Sequence, residues 1–296
     1  MQIKPILSII TPVYNCVEFI EYAILSVINQ KIDNLEYIII DGGSTDGTVE
    51  IIKKYEKYIT YWESTPDRGQ THALNKGFER ATGVFRGWLN ADEEYTPGAL
   101  EIIIEVIKKN KHIDLIYGNR SNMNMMEKTI CIKEEIMPSI PPFELMLYTG
   151  RLLCTDATFW SSRVHNKIGI LNEIEYPKYA MDAEWLLRVA GESKNYLKID
   201  RVLSIFKTHG NNMTIKGINA GFRYTEKIRI DYAKKKNIIF LKLIFGWIYY
   251  SLRLRYIEKG LAGVFSIPQI STLTYMLMQN RMQRKMLKNR NKVKIL

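Results

Sequence analysis

The sequence predicts an α/β protein, a doubly wound and mainly parallel sheet with a C-terminal helical extension, on three observations. Short, almost continuously apolar runs recur at 7–11, 37–40, 59–62, 84–89 and 115–117, the pattern of strands covered by helices on both faces. Segments of helical spacing separate them. The first four runs each stop in polar residues, so the loops that follow them share one edge of the sheet, where such folds bind ligands.

The run at 7–11 reads as a strand ended by Pro12, with Val13-Tyr14-Asn15 as a turn. Val17, Ile20, Ile24 and Ile28 then recur at helical spacing. The strand at 37–40 runs into Asp41-Gly42-Gly43-Ser44-Thr45-Asp46-Gly47-Thr48, and capping residues with Glu50 in the first turn predict a helix over 49–58. A short strand at 59–62 leads through Asp67-Arg68-Gly69-Gln70 into a helix carrying Leu74, Phe78 and Ala81. After the strand at 84–89 come Asn90, Ala91 and three acids, Asp92, Glu93 and Glu94, before Pro97 opens a helix over 99–109. Beyond 117 the alternation fails: 137–142 is a proline-rich connection, and 153–160 returns as a strand.

Bunched carboxylates repel, so Asp92, Glu93 and Glu94 are expected to face water or a shared cation, and such hard oxygen ligands suit Mg²⁺ or Mn²⁺. An acidic turn that stabilises a helix N-terminus explains the same residues without a metal. The glycine loop at 41–48 can bind phosphate through its N–H groups, yet it lacks the GxGxxG and GxxxxGKS/T spacings of dinucleotide sites and P-loops. Asp41, which opens it, can accept from a base or ribose donor or cap the following helix.

The 296 residues carry enough apolar side chain, 46%, for a substantial core, and a formal net charge of +11 implies an anionic partner. Much of that charge lies at the end, where Arg281, Arg284, Lys285, Lys288, Arg290, Lys292 and Lys294 follow one another without an acid. Cys16, Cys131 and Cys154 are too few and too scattered for a disulfide framework or a CxxC metal site, which fits a reducing cytoplasm. The N-terminus has no basic region followed by a long apolar run, so a cleaved signal peptide is not expected.

Four stretches in order then carry a family resemblance. Leu-Ser-Ile-Ile-Thr-Pro-Val-Tyr-Asn at 7–15, Ile-Asp-Gly-Gly-Ser-Thr-Asp-Gly-Thr at 40–48, Asp-Arg-Gly-Gln-Thr-His-Ala-Leu-Asn-Lys-Gly at 67–77 and Ala-Thr-Gly-Val-Phe-Arg-Gly-Trp-Leu-Asn-Ala-Asp-Glu at 81–93 resemble the family 2 glycosyltransferases, nucleotide-sugar enzymes of the GT-A fold. The resemblance covers the first 210 residues or so and implies a catalytic domain at 1–210, with a nucleotide-sugar half at about 1–118 and an acceptor half at about 119–210. It implies a nucleotide-sugar site at Thr11, Pro12, Tyr14, Asn15, Asp41, Gly42, Arg68, Asn75, Asn90 and Ala91, and a divalent metal, Mn²⁺ or Mg²⁺, on Asp92. Asn90-Ala91-Asp92-Glu93 departs from the family's Asp-x-Asp or Asn-Ala-Asp-Asp at Asn90 and Glu93, which leaves the number of carboxylate ligands open.

The stretch at 179–188, Tyr-Ala-Met-Asp-Ala-Glu-Trp-Leu-Leu-Arg, resembles the acceptor-side motif of the family, whose general base falls on Asp182, with Met181 where an acid often stands. Capping of the helix is the structural alternative for Asp182, and Glu184 is the second choice of base. His209 matches a family histidine after the last core strand, expected on the metal or the diphosphate, although a lone histidine is often only a hydrogen-bonding residue. His72, His112 and His165 read as surface or packing residues.

The implied activity is inverting transfer of a sugar from a nucleotide diphosphate, with UDP as the expected carrier, to an acceptor hydroxyl, a lipid-linked glycan of cell-surface polysaccharide assembly. A non-catalytic nucleotide-sugar binder or scaffold is the alternative, and a nucleotidyltransferase on a similar sheet a third reading. The extension at 211–296 is expected to be helical and basic: helical over 219–236, aromatic and basic enough over 238–252 to lie in a membrane interface, and polybasic at the end. Residues 260–280 carry no charge but are too polar for a spanning helix. The expected location is the inner face of the cell membrane, peripherally bound to anionic lipid. No nucleic-acid motif accompanies the basic charge.

Overall fold

The computed structural model describes residues 4–125, 131–138, 140–176, 180–210, 212, 218–236, 238 and 247–248. Contacts group Met1–Leu252 into one unit and Arg253–Leu296 into a second, and all of the second lies outside the described residues. The polybasic end and the uncharged stretch before it therefore lie outside them, as does nearly all of 238–252.

The chain runs β1 (Leu7–Val13), α1 (Ile20–Ile28), β2 (Leu35–Asp41), α2 (Thr48–Lys54), β3 (Tyr61–Ser64), α3 (Gln70–Arg80), β4 (Phe85–Trp88), β5 (Glu93–Tyr95), α4 (Ala99–Lys109) and β6 (Leu115–Asn124). It continues through β7 (Cys131–Glu135), β8 (Thr158–Ser161), α5 (Ser162–Ile168), α6 (Met181–Glu192), β9 (Tyr196–Thr208) and α7 (Ile218–Lys235). The sheet has the order β3-β2-β1-β4-β8-β6-β9-β5, with β7 on β6. It is parallel over β3-β2-β1-β4, as the alternating pattern requires, and mixed beyond: β8 is antiparallel to β4 and β6, β9 is parallel to β6, and β5 and β7 are antiparallel edges.

The apolar runs became strands because both faces are covered; Ile9, Ile10, Ile39 and Ile40 have no exposed surface. Pro12 does not end β1, contrary to expectation. The ladder to β4 stops at Ile10↔Trp88, so Pro12, paired with Ile40 alone, sits where a second row of hydrogen bonds is already missing. The helix expected over 49–58 stops at Lys54 and closes as a short 3₁₀ turn, Glu56–Tyr58, which shifts β3 to Tyr61–Ser64.

Helix α7 packs on the domain rather than away from it. Arg229 donates to the carbonyls of Leu147 and Tyr148 at 2.7 and 2.8 Å, Lys236 pairs with Glu192 at 3.1 Å, and the Tyr232 ring lies 5.8 Å from that of Phe143. Among the described residues no helix is long and apolar enough to cross a membrane.

His165 is a packing residue, buried against Phe78, Trp160 and Trp185. Its Nδ1 accepts from Trp160 Nε1 at 3.4 Å, which requires an unprotonated nitrogen there. Burial, helped by the charges of Arg86 and Arg188, pushes its pKa down to about 3. An unfolded imidazole titrates near 6.5, so between these values the unfolded chain binds a proton that the fold refuses, and stability falls as pH drops through that window. Urea unfolding at pH 7 and pH 5 is expected to show a loss of about 2 kcal/mol that His165→Gln lacks; the same slope in both proteins would refute it.

Candidate active site

The loops after β1 and β2 are clasped together at the carboxyl edge of the sheet. Asn15, at a left-handed φ of 46°, accepts from Thr45 N through Oδ1 at 2.9 Å, while its own N–H donates to Ser44 Oγ at 2.7 Å. Cys16 N donates to Thr48 Oγ1 at 2.9 Å and Val17 N to Asp46 Oδ2 at 3.0 Å. Tyr14 projects from this clasp with 66% of its surface exposed. Thr11 and Pro12 are buried beneath it, Thr11 Oγ1 lying 3.3 Å from Tyr37 OH.

Asp41 is 0% exposed, and its carboxylate organises the glycine loop. It accepts from Gly43 N at 3.0 Å, Ser44 N at 2.9 Å, Ser64 Oγ at 2.6 Å and also from the Ser44 hydroxyl. Gly42 follows close against the next loop, since a Cβ there would stand 3.0 Å from the Asp67 carboxylate, which would have to shift to admit it. The loop after β2 thus touches the loop after β3.

The third loop is tied to a segment the sequence did not single out. Arg68, itself largely exposed, pairs with Glu173 at 2.7 Å. Asn75 donates to Glu173 Oε1 at 2.9 Å and to Leu171 O at 3.1 Å, and accepts from Leu171 N at 2.8 Å. Asn90 Oδ1 accepts from Gln70 and from the Trp88 indole, each at 2.7 Å, while Ala91 is buried. Asn75 and Asn90 face protein partners and hold their loops in place.

The three acids do not face one cation together, which corrects that expectation. Strand β5, three residues long, pairs Glu93 with Phe206 and Glu94 with Ile205 of β9 and so sends the Glu93 and Glu94 side chains to opposite faces. Glu93 turns inward, 3% exposed, and accepts from Asn90 N at 2.8 Å; burial, with Asp156 and Asp92 nearby, raises its pKa well above the carboxylate range. Glu94 is paired with Lys207. Asp92 has 23% of its side chain exposed, as has Glu94, and its Oδ2 lies 3.1 Å from His209 Nε2 and 2.9 Å from Asn212 Nδ2. The His209 ring stacks on Phe19, centroids 4.4 Å apart.

A carboxylate and an imidazole converging in this way fit a divalent ion. Two ligand atoms at adjacent octahedral positions, each about 2.1 Å from an ion, lie roughly 3 Å apart, and the mixed oxygen and nitrogen set suits Mn²⁺ at least as well as Mg²⁺. Among the described residues no three His, Cys, Asp or Glu side chains gather into a metal group; the pair would supply two of a cation's ligands.

Asp182 is the second residue of α6, inside its first turn rather than at the cap, which is Ala180 at a left-handed φ of 60°. Its Oδ1 accepts from Ala183 N at 2.8 Å. Burial raises its pKa, opposed by those backbone N–H groups and by the charge of Arg120. Glu184 is engaged by Arg188 at 2.7 Å, and Met181 is buried with its sulfur facing Thr71 of α3 at 2.7 Å, a joint between helices. Sequence reasoning missed Arg120 and Asp156. Arg120 pairs with Glu135 at 2.9 Å, covers the Phe206 ring and approaches the fully buried Asp156 to 3.7 Å, a constellation assembled by the pairing of β6, β7 and β9.

A parallel half-sheet with its loops clasped at the carboxyl edge, continued by mixed strands beneath an acidic turn, is the GT-A type of α/β architecture. Residues 8–163, more than half of the chain, match the family described as Glycosyl transferase family 2, and the protein belongs to that family. It is 29% identical to a chondroitin synthase of Pasteurella multocida (strain Pm70) over 73% of this chain and 22% of that one. It is 38% identical to the putative teichuronic acid biosynthesis glycosyltransferase TuaG of Bacillus subtilis (strain 168) over 34% of this chain and 42% of that one. The chain thus spans less than half the length of either relative. S. aureus TarS 1-349, solved in complex with UDP-GlcNAc, shares the fold at a TM-score of 0.55 and 19% identity, covering 70% of this chain and 60% of that one. The mannosyltransferase PcManGT of Pyrobaculum calidifontis, solved with GDP-Man and Mn²⁺, does so at 0.54 and 16%, covering 94% and 81%.

Proposed function

We propose that this protein is an inverting transferase that moves one sugar from a nucleoside diphosphate, UDP in our reading, to a hydroxyl of a lipid-linked glycan during cell-surface polysaccharide assembly. The observation that carries the reading is the Asp92–His209 pair at 3.1 Å on the same edge as the clasped loops. The relatives' names support it, since they include a chondroitin synthase and a teichuronic acid glycosyltransferase. The nucleotides in the TarS and PcManGT structures support the donor class, and the Mn²⁺ of the latter the metal.

In this reading the catalytic domain is 1–210 with α7 docked on it, and the clasped loops bind the nucleotide. Tyr14 offers an exposed ring to the base, Asn15 and Arg68 line the crevice, and Thr11, Pro12 and Gly42 form its floor. Asp41, Asn75, Asn90 and Ala91 act by fixing the loops from within. Asp92 and His209 hold the divalent ion, which when bound neutralises charge on the departing diphosphate. Asp182 takes the proton of the acceptor hydroxyl as its oxygen attacks the anomeric carbon; the bond to the diphosphate oxygen breaks and its electron pair leaves with the nucleoside diphosphate. The basic region beyond 236 brings the domain to the anionic inner leaflet.

The test is release of nucleoside diphosphate by the purified protein against a panel of nucleotide sugars, with Mn²⁺ or Mg²⁺ and then with chelator. Release from a UDP-sugar that stops on chelation is expected. No release from any donor, with lipid-linked and soluble glycan acceptors both supplied, would sink the proposal.

A further inference from the structure

Asn212 lies three residues beyond His209 and is 3% exposed. Its Oδ1 accepts from His209 N at 2.5 Å, and its Nδ2 donates to Lys207 O at 3.0 Å. These two contacts fix the sense of the amide, because reversing it would set N–H against N–H and oxygen against oxygen. The group turned toward the candidate ligands is therefore the NH₂, 2.9 Å from Asp92 Oδ2 and 3.1 Å from His209 Nε2. An amide NH₂ has no free electron pair for a cation, so Asn212 is not itself a ligand in this arrangement. It touches both residues that are.

We propose that Asn212 is the positioning residue of the Asp92–His209 pair, holding one carboxylate oxygen of Asp92 and the turn that carries His209 so that the two ligand atoms stand ready for one divalent ion. The inference rests on the metal reading above. The two ligands stand 117 residues apart in sequence, in the turn before β5 and the segment after β9, and both lie beyond the β5–β9 ladder, whose pairing ends at Glu93↔Phe206. Beyond that point the amide supplies the missing connection: it ties the backbone of 207–209 to Asp92, while Phe19 restrains the other side of the imidazole. Groups that orient metal ligands in this way matter nearly as much as the ligands, because without them each binding event must first order the site.

The test is Mn²⁺ binding by titration calorimetry or electron spin resonance, with the full chain at saturating UDP, together with UDP binding in the presence of chelator. Asn212→Ala is expected to weaken Mn²⁺ by roughly 10- to 100-fold while UDP affinity without metal is unchanged. The penalty is expected to be smaller when Asn212→Ala is made in a His209→Ala background, since part of what Asn212 holds is then gone. Asn212→Ser, which keeps a local acceptor for His209 N–H but does not reach Asp92, is expected to show the same loss and stands in if the alanine variant fails to fold. Mn²⁺ affinity within twofold of wild type in the folded variant would overturn the proposal, and so would an equal loss of metal-free UDP binding, the mark of a general structural defect. A wild-type protein that binds no Mn²⁺ beside UDP would instead overturn the metal reading, and this assignment with it.

Discussion

Replacing Asp182 by Asn is expected to lower kcat by roughly 10²- to 10⁴-fold, the usual contribution of a general base, while leaving the donor's Kd close to that of wild type. Asparagine preserves the size of the side chain and an oxygen for the 2.8 Å hydrogen bond from Ala183 N, so the first turn of α6 is kept. What it removes is the ability to accept a proton. The clasped loops proposed to bind the nucleotide follow β1 and β2, whereas Asp182 enters from α6, which is why binding and turnover should separate. Burial raises the Asp182 pKa above the ordinary aspartate value of 3.8, making it a stronger base than a surface aspartate. The acid limb of kcat against pH is therefore expected above that value in wild type, with activity lost as pH falls through it, and should be absent from whatever turnover the variant retains. Single-turnover rates and donor titrations on both proteins measure this. Wild-type turnover in the variant would remove Asp182 from the reaction.

The parallel half of the sheet was legible because doubly covered strands are continuous apolar runs, and 7–11 and 37–40 fall inside β1 and β2 for that reason. The mixed half was not. In β9 a partly solvated face places Lys198, Asp200 and Arg201 among apolar residues, and a register shift at Gly118/Asn119 breaks the periodicity of its pairing with β6. Strand β5 is too short and too acidic to read as a strand at all; its identity comes from β9, which lies far along the chain. The same holds for the site. Asp92 and His209 could each be found from a motif, but that they meet, and that Asn212 joins them, follows from where β5 and β9 end. Arg120 and Asp156 carried no signal, since a lone charge says nothing about its partner until strands pair.

The second large effect separates two neighbouring acids. Asp92→Ala is expected to abolish Mn²⁺ binding beside UDP and to lower kcat/KM by about 10³-fold, near the upper end of what removing one preorganised electrostatic contact costs. Glu93→Gln is expected to retain metal binding and activity to within a few-fold. The sequence points to Asp92 as the metal ligand and leaves Glu93 open as a second one, and if both were ligands both substitutions would be severe. In the folded protein the two lie on either side of the start of β5: Asp92, in the turn before the strand, faces His209 and solvent, and Glu93, its first residue, turns into the core, where its oxygen accepts from Asn90 N at 2.8 Å. Glutamine keeps that acceptor, and since burial beside Asp156 and Asp92 already favours the uncharged form of Glu93, replacing it by a neutral isostere removes little. Alanine at 92 removes the carboxylate that His209 and Asn212 both contact. Parallel Mn²⁺ titrations of the two variants decide the matter: equal losses would make this a two-carboxylate site, and an intact Asp92→Ala site would mean that the cation, if used at all, is held elsewhere.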